Sequence, residues 1–221
     1  MKNTPFFILF VCIGGLIGTG LHSCEQAASS KLNEKVANAY GFSNFSKIKS
    51  IAFTFNIKKD SFHLSRSWKW FPKSHEVYFK DENDSLHYRR DTITSAAMKA
   101  VDQKFVNDKY WLLFPFQLVW DRGDSITTKY GQREPISGDT ATCLTVTYND
   151  SVGYTPHDSF DLFLDSLHQI KEWNYRHNSV DTPTISTTWG DVKDFNGIKI
   201  ATTHYNKDST FKLWFSGIQV E

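Results

Sequence analysis

The chain has 221 residues, with 25 basic and 24 acidic side chains and a net charge of +1. That balance, with no basic run longer than Arg89-Arg90, excludes the basic face that a nucleic-acid partner requires. Aromatic residues make up 15% of the chain (7 Trp, 9 Tyr and 18 Phe), an enrichment that favours sheet and a sizeable core within one domain.

The first element is an apolar run from Phe6 to Leu21, preceded by one positive charge, Lys2. Glycines at 14, 15, 18 and 20 dilute it, and it is shorter than the roughly 20 apolar residues of a spanning helix. A cation, a short apolar stretch and small residues behind it form the pattern of a signal peptide. The run ends Leu21-His22-Ser23-Cys24, which resembles the lipobox of bacterial lipoproteins, apart from His22 where a small residue is usual. The resemblance implies cleavage before Cys24 and acylation of that residue. Acyl chains would anchor the protein to a membrane at about 0.8 kcal/mol per buried CH₂. The expected organisation is therefore a lipoprotein signal peptide over 1–23, a lipidated cysteine and polar spacer over 24–31, and one domain over 32–221. Loss of 1–23 removes Lys2 alone among the charged residues and leaves the chain electrically neutral. The expected location is the bacterial cell envelope, lipid-anchored at the outer membrane.

Cysteine usage agrees with this. Cys12 leaves with the signal, Cys24 is acylated, and Cys143 has no intramolecular partner. Cys143 lies in the strand-like TATCLTVTY and reads as a small buried hydrophobe.

LNEKVANAYG (32–41) places Leu32, Val36 and Ala39 on one side and ends in glycine, which predicts a short helix with a glycine cap. Strand periodicity follows. KSIAFTFNI alternates Ile51, Phe53, Phe55 and Ile57. SFHLSRSWKWF puts Trp68 and Trp70 on one face and stops at Pro72. HEVYFKD and SLHYRRD alternate Val77 with Phe79 and Leu86 with Tyr88. Turn-rich breaks tipped by Asp60-Ser61, Lys73-Ser74 and Asn83-Asp84 separate them, predicting a four-stranded antiparallel meander.

The period then changes. After a Thr/Ser cap, Ala97, Val101, Phe105 and Val106 form a helical stripe. WLLFPFQLVW (111–120) is predicted as helix or turn up to Pro115 and irregular chain after it. From Asp121 strand rhythm returns through SITTKYG, TCLTVTYND, SFDLFLDS, HQIKEWNYRH, TISTTWGD, IKIATTHYNKD and FKLWFSGIQVE. Hairpin turns are predicted at 149–153, Asp165-Ser166 and Asn196-Gly197. About ten or eleven strands with inserted helices make an antiparallel α+β domain.

The pattern Trp189-x-Asp191 with Gly197-Ile198-x-Ile200 resembles the LolA/LolB-like superfamily of envelope proteins. The stretch Trp111-Leu112-Leu113-Phe114-Pro115-Phe116-Gln117-Leu118 is similar to a "PF-x-L" motif in Bacteroidetes lipoproteins of that type. The resemblance spans most of 45–220. It implies a curved, half-open antiparallel β-barrel with helices across its mouth and an apolar concave side, which in characterised members receives acyl chains of lipoproteins. No specific functional residue of those carriers maps onto this sequence, and Asp191 and Gly197 read as turn and fold determinants.

Aromatics are expected on that concave side. Phe53, Phe55, Trp68, Trp70, Phe79, Trp111, Phe114 and Phe116 are the candidate ligand-lining set, with Trp173, Trp189 and Trp214 further members of the same surplus. Two readings remain open: an apolar cavity for a lipid, acyl chain or other apolar ligand, or a filled barrel acting as an envelope scaffold. Catalysis has little support. GxSxG, HExxH, paired CxxC and phosphate-loop patterns are absent from the sequence. His63, His75 and His87 recur every twelve residues and could bind zinc only if a hairpin register aligned them; solvated histidines are the simpler reading. His157, Asp158 and Asp161 could form an acid–base pair, but turn chemistry, with aspartates bonding their own backbone, explains them more simply. No metal, no cofactor and no catalytic residue is expected.

Overall fold

A computed structural model describes residues 31–121, 124–149 and 156–221. Cys24, the signal and most of the 149–153 turn lie outside these residues. The described residues open with helix α1 (31–39). Gly41 follows with φ 88°, ahead of a 3₁₀ turn over Phe42–Lys47. A Cβ at Gly41 would overlap the carbonyl oxygen of Gly197, so glycine is required there both for the left-handed conformation and for the close approach.

The predicted meander is present. Strands β1 (Ile51–Lys59), β2 (Phe62–Phe71), β3 (Glu76–Lys80) and β4 (Ser85–Arg89) pair antiparallel in sequence order. Helix α2 (Ala96–Trp120) follows, capped by the Ser95 hydroxyl, which accepts from the Met98 N–H at 3.1 Å. Strands β5 (Asp124–Arg133), β6 (Thr140–Tyr148), β7 (Ser159–Leu164), β8 (Ile170–Arg176) and β9 (Ile185–Thr188) form one antiparallel sheet. Strands β10 (Gly190–Phe195), β11 (Ile198–Tyr205) and β12 (Phe211–Val220) join the meander in a seven-stranded sheet of order β10-β11-β12-β1-β2-β3-β4.

Twelve strands are therefore present among the described residues, against the ten or eleven that the rhythm predicts. The difference arises at Trp189, where the chain leaves β9 and begins β10. The Trp189 N–H donates to the Lys171 carbonyl at 2.7 Å, and Tyr205 N–H donates to Thr188 Oγ1 at 3.0 Å. This seam joins the two sheets. On the other side, β4 and β5 are connected through α2, so the arrangement is a half-open α+β barrel rather than a closed one.

Helix α2 lies against the inner faces of both sheets. Phe105 meets Trp68 and Trp70, with ring centres 5.4 and 5.7 Å apart, and Phe114 meets Phe160 and Trp173 at 4.8 and 5.2 Å. One continuous apolar core results. The helix does not end at Pro115. It kinks at Leu113 (φ −130°, ψ 31°) and runs on to Trp120. The break two residues ahead places Pro115 in the first turn of the second segment, where a missing N–H leaves no bond unmade. The sequence expectation of irregular chain after Pro115 is corrected accordingly.

Asp191 also departs from expectation. It belongs to β10 with φ 53°, and its Oδ2 accepts the Thr202 hydroxyl at 2.8 Å. Asn196 and Gly197, at φ 55° and 82°, do form the β10–β11 hairpin turn.

Candidate functional site

The inward side of α2 carries more than apolar residues. Asp108 receives the Arg66 guanidinium at 2.7 Å and the Trp68 indole N–H at 2.8 Å. One turn and a half earlier, Asp102 receives Tyr88 Oη at 3.0 Å and Arg90 Nε at 2.7 Å. The two aspartates clamp the helix to β2 and to the end of β4. Burial pushes the Asp108 carboxyl up to about 6, against the opposing pulls of Arg66, Asn107 and Trp68. Burial likewise lowers Lys109 to about 8; its ammonium stands 5.7 Å from the Trp70 ring centre and 5.4 Å from that of Trp120.

A groove remains between α2 and the β7–β8 hairpin. The helix contributes Gln103, Val106, Asn107, Tyr110 and Trp111, spaced as one helical face at i, i+3, i+4, i+7 and i+8. The hairpin contributes Phe160, Trp173 and Tyr175. Trp173 and Tyr175 share a face because they are two residues apart on one strand, and Tyr175 is the cross-strand partner of Phe160. The volume is about 340 Å³, near the lower end of small-molecule sites. All eight lining side chains are uncharged. Trp111 meets Trp173 edge-on at 4.5 Å, and Phe160 stacks on Trp173 at 5.4 Å. Trp173 is 1% exposed, and its indole N–H has no acceptor.

At one rim the Tyr175 hydroxyl donates to Asp158 Oδ2 at 2.8 Å. Burial, and then the Asp158 carboxylate, raise the Tyr175 hydroxyl above its ordinary range. Asp158 Oδ1 lies 2.9 Å from His177 Nδ1 and accepts the Asn178 N–H at 2.9 Å. Asp158 therefore ties its loop to the end of β8 rather than bonding its own turn, and its imidazole partner is His177, not His157. Asp161 is on β7, where it accepts Thr145 Oγ1 at 2.8 Å and Arg176 at 2.9 Å. The turn reading of these aspartates is corrected: both carboxylates are spent on neighbouring strands.

Of the eight predicted lining residues, Trp111 lines the groove. Phe53, Phe55, Trp68, Trp70, Phe79, Phe114 and Phe116 are core, none above 7% exposed. Strand alternation identifies an inward face, but not which inward rings α2 covers. Of the other three tryptophans expected in the aromatic surplus, Trp173 lines the groove, Trp189 is buried at the seam, and Trp214 is half-buried beneath Lys212. Gln103, Val106, Asn107, Tyr110, Phe160 and Tyr175 were missed as lining residues. Their signal was present in the i, i+4 spacing of α2 and the alternation of SFDLF and EWNYR.

The histidine row is not assembled. His63 lies opposite Lys58, His75 occupies a turn at φ 60°, and His87 stacks on Tyr78 at 4.0 Å. Among the described residues no group of three metal-ligating side chains is brought together. Cys143 is 6% exposed and burial pushes its thiol up to about 11, consistent with a packing role. Among the described residues no helix is long and apolar enough to cross a membrane.

No family model and no curated protein matches the sequence. Solved structures do match in fold. A DUF1329 family protein from Desulfovibrio piger superposes with a TM-score of 0.52 at 11% identity, over 89% of this chain and 93% of that one. A putative outer membrane lipoprotein-sorting protein domain from Vibrio parahaemolyticus covers the same shares at a TM-score of 0.46 and 9% identity. The chain is thus similar in fold, across nearly its whole described length, to the Desulfovibrio protein.

Proposed function

We propose that the protein is a non-catalytic, lipid-anchored protein of the bacterial cell envelope that holds an acyl chain or other apolar ligand in the groove between α2 and β7–β8. The observation that carries this reading is the lining itself: five aromatic rings, one valine and two amides, with no charge. Such a surface suits an apolar body with a neutral polar end, and the side-chain amides of Gln103 and Asn107 supply the polar groups of the lining. Resemblance in sequence to LolA/LolB-like proteins of the Bacteroidetes lipoprotein branch supports the same class, and acylation at Cys24 would hold the domain at the outer membrane.

The test is binding of a fluorescent fatty-acyl probe to the chain from Glu25 onward. Trp111→Ala should weaken binding about tenfold, as loss of one large apolar contact surface does. Binding that is equal in both proteins would remove the groove as the site. A second reading, a scaffold with a filled interior, is favoured by the seven tightly packed rings; absence of probe binding would select it.

A further inference from the structure

We propose that the face beside the start of α1 rests on an anionic bilayer surface, so that the protein is oriented as well as tethered. Lys31, Leu32 and Lys35 of α1 share a surface depression with Tyr130 and the β7–β8 loop at Asp165, Ser166 and His168. Lys31 and Lys35 are four apart on the helix and present their ammonium groups together. Tyr130 is 74% exposed and Leu167, on the loop tip, is 69% exposed.

Both outward side chains are held in place by the fold. A register shift between Lys129 and Gln132, with Gly131 at φ 66°, interrupts β5 at Tyr130; a bulge of this kind re-aims a strand side chain. The Asp165 carboxylate accepts the N–H groups of Leu167 and Gln169, each at 2.8 Å. That fixes the loop under Leu167 and occupies the acid of the depression locally. A tyrosine with an apolar body and polar tip, a leucine and two lysines form a set suited to a headgroup layer with phosphate charge.

The chain outside the structure says what covers this face. Cys24 is seven residue steps from Lys31, at most about 25 Å of extended chain. That is less than the diameter of a domain of this size, about 40 Å. An anchor at Cys24 therefore keeps the Lys31 face nearest the bilayer, and to that extent the proposal rests on the lipoprotein reading. The groove stands toward the other end of the same hairpin: Phe160 pairs with Tyr175 there, whereas Leu164 pairs with Ile170 at the docking end. Four residues of strand separate them, about 13 Å, leaving the groove open to a ligand arriving from the aqueous side.

The test uses the full chain purified from bacterial membranes. It is reconstituted into phosphatidylcholine vesicles with or without phosphatidylglycerol, and lysine acetylation is followed residue by residue. Lys31 and Lys35 should react about fivefold more slowly on phosphatidylglycerol vesicles than in detergent, and Lys58 and Lys59 at unchanged rates. The double variant Tyr130→Ser/Leu167→Ser, altered at exposed positions only, should lose that protection. Equal rates at all four lysines, or release of the chain from the vesicles, would overturn the proposal. The mass of the N-terminal peptide reports acylation of Cys24 separately. An unacylated chain held by its apolar 6–21 segment would still show the protection, so failure of the anchor reading and failure of the docking face give different results.

Discussion

The indole N–H of Trp68 donates to Asp108 at 2.8 Å, inside the core and beside the Arg66 guanidinium. A tryptophan that strand alternation assigns to a ligand-facing wall is thereby an anchor for the helix that occupies that wall. Asp108→Ala should cost about 3–5 kcal/mol, because it leaves Arg66 and the indole without their shared acceptor. Denaturant unfolding measures this. A cost under about 1 kcal/mol would show that the clamp does not hold α2.

His204 gives the fold an acid sensitivity. It is fully buried, with Nδ1 3.1 Å from the Thr188 carbonyl, and burial lowers its imidazole to about 3. The unfolded chain, titrating near 6.5, takes up the proton first. This contribution to stability is complete above about pH 6.5 and declines as pH falls toward 3, by about 2–3 kcal/mol at pH 4.5. Asp108 works in the opposite sense: its raised carboxyl gives stability that is present at low pH and lost as pH rises through about 6. Comparison of wild type with His204→Asn at pH 7 and pH 4.5 isolates the histidine. The variant should lose less stability on acidification; parallel losses would contradict its burial in the neutral form.

Gly41→Ala should be among the most damaging single-methyl additions in the protein. The residue has φ 88°, and a Cβ would overlap the Gly197 carbonyl oxygen. Strain and overlap together should cost at least about 2 kcal/mol, seen as a lowered unfolding midpoint. Gly138→Ala, with open space around it, should cost only its left-handed strain, about 1–2 kcal/mol. Equal losses would mean that α1 does not pack on the β10–β11 turn as described.

Phe53→Ala and Trp111→Ala separate core from groove. Phe53 is 2% exposed against Phe215, and its truncation should cost about 3–5 kcal/mol. Trp111 is half-buried on the groove wall, so its truncation should cost less stability and more ligand affinity. Thermal unfolding paired with probe titration checks the contrast; the reverse ordering would exchange the two roles.

These contrasts mark what the sequence could carry. The meander was legible because Ile51, Phe53 and Phe55 repeat at the period of a strand buried on one side, and the glycine after α1 because a helix ending in the left-handed region demands one. The course of the chain beyond Pro115 was not legible. A proline breaks a helix by removing one N–H, and whether the helix resumes depends on the packing of Phe114 and Phe116. Nor could the sequence identify Asp102, Asp108 and Lys109 as inward residues: charge usually marks the solvent face, and the arginines that meet the two aspartates come from β2 (Arg66) and from the turn after β4 (Arg90). The groove shared this fate. Periodicity selects inward faces on each element, whereas a void exists only where two faces fail to close, here between α2 and β7–β8.

Native mass spectrometry of the chain from Glu25 to Glu221 asks whether the groove between α2 and β7–β8 holds an apolar ligand. A co-purifying or added apolar molecule in the mass range of a fatty acid or phospholipid should be retained by the native protein and lost from Trp111→Ala. A protein that stays at its apo mass after incubation with envelope lipids would rule out the groove as a ligand site and identify the domain as a filled scaffold.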